Sequence, residues 1–164
     1  GVVLKSRHNI WKDTRVTDCI KYKEKHQAEF KISAYYLGES GKNFQNVLGG
    51  FVVESQCDSV KSKTGSGLSF EDRGILAGGI GSDGKPIYLK DDDGDFIKDE
   101  SFCYDDYIGQ IVTLEYNKRT KTKGDRETFS LRFPIVKQFR LDKDAANTLD
   151  EMIEQEEASR GLRL

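Results

Sequence analysis

The sequence predicts a mainly β fold of five short strands, on three observations. Apolar and polar residues alternate with a period of two in several segments between 28 and 135, and turn-rich breaks separate those segments. Only one stretch, close to the C-terminus, carries helical spacing.

The first strand is read from Phe30, Ile32, Ala34 and Tyr36, which alternate with Glu29, Lys31, Ser33 and Tyr35. Phe51 to Glu54 forms the second and Ser59 to Thr64 the third, which ends at Gly65-Ser66-Gly67, where glycine permits backbone geometry closed to other residues. Val112, Leu114 and Tyr116 mark the fourth. The fifth is read as one strand through Phe129, Leu131, Phe133 and Ile135, with Pro134, which cannot donate to a ladder, at an edge or a strand end. Between the third and fourth strands, 70–106 is longer than a plain connection, and its centre reads as a flexible hairpin insertion over about 74–106. Five strands with one long interruption suit a Greek-key barrel of the OB type; a five-stranded sandwich is the competing architecture. Thr148 and Glu151 form a capping-box pair ahead of a helix over 149–159, with Leu149, Met152 and Ile153 on its packing stripe and Glu154, Glu156 and Glu157 expected to face water.

The chain divides accordingly into 1–26, a barrel over 27–144 and a helix with tail over 145–164. Gly1 to Lys5 reads as the tail of a buried strand, while Ile10, Trp11 and Ile20 add apolar surface that the first 26 residues cannot bury among themselves. At 164 residues and 33% charged, with no apolar run near the roughly 18 residues of a membrane span, the composition points away from membranes. Cys19, Cys57 and Cys103 are odd in number and in no metal-like spacing, and read as reduced thiols of a cytoplasmic protein.

Net charge is only −2, yet it is unevenly placed: residues 1–31 hold eight basic groups against four acids, and 91–106 holds eight acids against Lys98. Within the basic end, Lys21, Lys23 and Lys25 alternate with Ile20, Tyr22 and Glu24, so a strand would carry a comb of ammonium groups spaced about 7 Å apart. Such a comb fits a phosphate backbone, and it equally fits an edge strand protected by lysine against aggregation. A second cationic cluster, Arg140 and Lys143 flanking Asp142, admits two readings, a surface salt bridge or a phosphate fork that Asp142 orients. The acidic run Asp91-Asp-Asp-Gly-Asp with Glu100 matches positions of a calcium loop, but Leu89 stands where its first acid belongs. No metal site is expected from it, and no nucleophile with a partner base is recognisable.

In order, Gly1-Val-Val-Leu-Lys5, Arg15, Asp18-Cys-Ile-Lys-Tyr-Lys23, Gly65-Ser-Gly-Leu68 and Arg140-Leu-Asp-Lys143 resemble motifs of the ATP-dependent DNA ligases, most closely the compact ligases of T-even-type bacteriophages. The resemblance implies the C-terminal part of such an enzyme, which seals nicks through a lysyl-AMP enzyme and a DNA-adenylate. It assigns 1–26 to the end of a nucleotidyltransferase domain whose remainder lies outside this sequence. Gly1 to Lys5 then matches motif IV without its leading glutamate. Lys21 and Lys23 match motif V and would contact the nucleotide α-phosphate, and Arg15 would serve the same site. Arg140, Asp142 and Lys143 match motif VI, which orients the departing pyrophosphate. ATP and Mg²⁺ are the implied cofactors, nicked double-stranded DNA the implied partner, and a cytoplasmic monomer, in an infected bacterium if the source is a phage, the implied state. The nucleophile motif K-x-D-G is absent, so no catalytic residue is expected in this chain. A free-standing OB module gripping single strands and a relative of RNA ligases or capping enzymes are the competing readings.

Overall fold

A computed structural model describes residues 2–8, 10–14, 17, 19–123 and 127–161. Two strands, β1 (Val2–Lys5) and β2 (Cys19–Tyr22), form an antiparallel hairpin in register Val2↔Tyr22 and Leu4↔Ile20. The strand at Val2 exists, but it is not buried: Val2, Val3 and Leu4 are about half exposed, and Trp11 is 82% exposed.

The barrel follows. β3 (His26–Leu37), β4 (Leu48–Glu54) and β5 (Lys61–Thr64) make a meander. The insertion contributes a small hairpin, β6 (Ala77–Ile80) with β7 (Pro86–Tyr88), and a 3₁₀ turn at Tyr104–Tyr107. β8 (Ile111–Tyr116) returns beside β3, β9 (Lys118–Lys121) pairs with β10 (Phe129–Arg132), and β11 (Ile135–Phe139) joins β8. The main sheet runs in the order β11-β8-β3-β4-β5. The parallel bridge Ser66↔Ile135, with the Val136 amide donating to the Ser66 carbonyl at 2.8 Å, joins its two edges, and the bridge Val60↔Phe129 ties β10 to the start of β5. An all-antiparallel sheet closed by one parallel contact is the OB arrangement, so the five-stranded mainly β expectation is met.

Period-two burial explains why these segments are strands. Ala28, Phe30 and Ile32 of β3, Phe51 and Val53 of β4 and Val112, Leu114 and Tyr116 of β8 share one core with Leu131 and Val136. The reading of 129–135 as one strand is corrected. Phe133 has φ 54°, a left-handed value that a bulky side chain rarely adopts, and Pro134 offers no amide; together they split the run into β10 and β11 and turn Phe133 outward, 57% exposed.

The insertion is also more ordered than its composition suggests. Phe44, Phe70, Tyr88 and Phe96 form an aromatic cluster, with Phe70 and Tyr88 centroids 4.3 Å apart. Beneath it lies Arg73, only 5% exposed, its guanidinium stacked 4.0 Å from the Phe44 centroid. Arg73 donates to the carbonyls of Leu48, Gly49 (3.1 Å) and Gly65 (2.7 Å). Its own carbonyl accepts from the Tyr104 hydroxyl at 2.8 Å, and that hydroxyl accepts from the Leu48 amide. The frame needs glycine at its centre, because a Cβ on Gly50 would meet the Thr64 carbonyl oxygen at 2.2 Å and one on Gly65 the Gly49 carbonyl oxygen at 2.3 Å.

The C-terminal helix α1 (Leu149–Gly161) starts at the expected capping box: the Thr148 amide donates to Glu151 at 2.7 Å, and the Glu151 amide to Thr148 Oγ1 at 3.3 Å. Met152 is fully buried. Glu156 does not face water; it is 7% exposed, accepting from the Tyr116 hydroxyl at 2.9 Å and from Arg119 Nε and Nη2 at 2.8 and 3.0 Å. Among the described residues no helix is long and apolar enough to cross a membrane.

Candidate phosphate and nucleic-acid interface

The lysine comb borders an open cleft of about 570 Å³, lined by Lys21, Tyr22, Lys23, Lys25, Asn117 and Phe133. The Asn117 side-chain amide donates to the Glu24 carbonyl at 2.8 Å, fastening the segment after β2 to the barrel. Lys21 and Lys23 are exposed. Lys25 is committed elsewhere: it pairs with Glu115 at 2.7 Å, and this hydrogen bond lowers the Glu115 pKa. The comb thus offers two cations to the cleft, and the third anchors its base.

Phe133 forms the cleft's far wall. The Lys23 ammonium sits 4.9 Å from its ring centroid, and the Arg132 guanidinium 5.3 Å from the same ring. A solvent-facing ring held on a left-handed backbone and flanked by two cations offers an apolar surface to a sugar or base edge beside charges that phosphates can meet. Simple alternation places Phe133 in phase with Leu131 and misses its outward turn; the following proline is the available signal.

At Arg140 the backbone amide donates to the Ile111 carbonyl at 2.7 Å, one hydrogen bond beyond the end of β11. The salt-bridge reading of the second cluster is met at Arg140. Arg140 forms a fork with Asp142, Nε to Oδ1 at 2.8 Å and Nη2 to Oδ2 at 2.7 Å, and this bond depresses the Asp142 carboxyl to about 2. The unexpected partner is Glu29 of β3, which accepts from Arg140 Nη1 through one oxygen and from Lys143 Nζ at 2.5 Å through the other. Glu29 is separated by more than a hundred residues from both, and its only sequence signal is its outward phase beside Phe30.

The two cationic groups have no lining or pairing residue in common: one faces Asn117 and Phe133, the other Glu29. Arg15 lies outside the described residues. Among the described residues no cluster of His, Cys, Asp or Glu is placed to hold a metal ion.

No family model matches the chain. It is 27% identical over 152 residues to the DNA ligase of Enterobacteria phage T4, and equally so to that of Enterobacteria phage T6, covering 93% of this chain and 27% of each relative. The chain therefore spans about a quarter of the length of the curated relatives it matches. Among solved structures, Pmar-Lig_Pre. superposes with a TM-score of 0.60 at 24% identity, over 86% of this chain and 27% of that one. A Lig E DNA ligase, from a study of DNA binding with a minimal scaffold, gives a TM-score of 0.52 at 20% identity, over 84% of this chain and 39% of that one. The fold is shared with these, and the resemblance to part of a DNA ligase is borne out.

Proposed function

Taking the chain as a homologue of the phage DNA ligases, we propose that it is the C-terminal part of an ATP-dependent DNA ligase and supplies the duplex-gripping barrel together with cations for the nucleotide phosphates. The observation that carries the reading is the cleft in which Phe133 stands between Lys23 and Arg132 beside Lys21. Its charges suit the phosphates of ATP or of a nicked strand, and its ring suits a sugar or base edge. Mg²⁺ is assigned no ligand in this chain.

Nick sealing by lysyl-AMP and DNA-adenylate consists of phosphoryl transfers, in which positioning and charge neutralisation do most of the work. Lys21 and Lys23 hold an α-phosphate against the hairpin. Arg140, shaped by Asp142, and Lys143 orient a departing pyrophosphate once the barrel closes. Since the K-x-D-G lysine is absent, the chain alone forms no covalent adenylate: labelled ATP with magnesium, followed by a denaturing gel, is expected to give no band.

Fluorescence anisotropy with nicked duplex, intact duplex and single-stranded DNA tests the interface. Nicked duplex is expected to bind most tightly, with each phosphate-contacting cation contributing about 0.9 to the logarithmic salt slope. Phe133→Ala should weaken binding by about 1–3 kcal/mol. Preference for single strands would favour a free-standing OB module, and a slope near zero would exclude the phosphate reading.

A further inference from the structure

Within the cluster around Glu29 the ion-paired charges balance. Two cations, Arg140 and Lys143, face two carboxylates, Glu29 and Asp142, and each cation is paired. The carboxylates differ in kind. Asp142 is 64% exposed and lies in the same turn as Arg140, where the Lys143 amide donates to the Arg140 carbonyl at 3.2 Å, so it travels with the guanidinium. Glu29 is fixed to the barrel wall. Its side chain is 12% exposed and its residue faces Thr113 across the ladder. Asn147 clasps its backbone, accepting from the Glu29 amide at 2.8 Å and donating to the Glu29 carbonyl at 2.9 Å.

We infer that Glu29 is a holding carboxylate: it occupies Arg140 and Lys143 on the barrel wall, and a polyphosphate must displace it to use them. The inference rests on the reading of these two cations as phosphate ligands. Glu29 offers one oxygen to each cation, which is the pattern that two oxygens of a pyrophosphate would present. While the carboxylate is seated, only the fraction of molecules with the pair open can bind, and apparent affinity falls by that fraction. Glu29 thereby keeps the cations ordered and unavailable until a ligand of higher charge arrives.

The probe is sodium pyrophosphate, titrated calorimetrically into this chain at low salt. Glu29→Gln should tighten binding by about tenfold, whereas Glu54→Gln, which frees Lys61 on another strand, should change it less than about twofold. Combining Glu29→Gln with Arg140→Ala should abolish the gain. An unchanged Glu29→Gln affinity, or equal tightening in both single variants, would overturn the holding role while leaving the phosphate site in place. No pyrophosphate binding by any form would overturn the phosphate reading and the inference with it. A measurement without substitutions guards against misfolding of the variant: the Glu29 side-chain carboxyl ¹³C resonance of the wild-type chain should shift as pyrophosphate saturates. Saturation without that shift would also sink the idea.

Discussion

Replacing Arg73 with methionine is expected to lower the free energy of unfolding by about 3–5 kcal/mol, read from urea denaturation midpoints at constant slope. The guanidinium satisfies the buried carbonyl of Leu48 and the partly buried carbonyls of Gly49 and Gly65. Methionine fills most of the volume but donates nothing, so three acceptors lose their partner, and hydrogen bonds to a charged group are worth about 1.5–3 kcal/mol each. Burial lowers the Arg73 pKa, the nearby Tyr36, Asp72 and Tyr104 oppose it, and an arginine stays charged throughout. Arg73→Lys keeps the charge without the fork and should recover only part of the loss. A methionine variant as stable as wild type would show that the carbonyls find other donors.

Glu156→Ala should cost about 3–5 kcal/mol as well, by leaving Arg119 and the Tyr116 hydroxyl buried without their acceptor. The site of damage differs: α1 is expected to undock, with amide exchange accelerating across 149–161 before the barrel opens. The carboxyl also sets a pH dependence. Burial pushes its pKa up, but the hydrogen bonds from Arg119 and Tyr116 and the Arg119 charge outweigh burial and hold it below the ordinary 4.5. A group with a depressed folded pKa contributes its full stabilisation above the unfolded value and loses it as pH falls through the folded one. Wild type should therefore lose this increment in the acid range below 4.5, and the alanine variant should not.

What could be read in advance follows from how far each interaction reaches along the chain. Alternation in β3, β4 and β8 and the capping box at Thr148 are local, and each lies where its pattern put it. Polarity alone sends Glu156 to solvent, although its spacing is informative: 149, 152, 153 and 156 fall on one helical face, and the partners Arg119 and Tyr116 make a carboxylate tolerable there. Alternation carried through a proline misplaces Phe133. Arg73 left no trace in the sequence, because its acceptors are main-chain carbonyls that any residue supplies. In the candidate site, order and resemblance point to Lys21, Lys23, Arg140 and Lys143, whereas Glu29, which pairs with the last two, reaches them only across β8 in the β3-β8-β11 ladder.

The left-handed backbone at Phe133 sets robustness and grip against each other at one position. Glycine there would relax a conformation costing a bulky residue about 1–3 kcal/mol and would give up a ring that packs little of its surface, so Phe133→Gly should melt no lower than Phe133→Ala. Directed selection for thermal tolerance alone would then drift toward glycine at 133, and, under the proposed function, selection for hold on DNA would drift back.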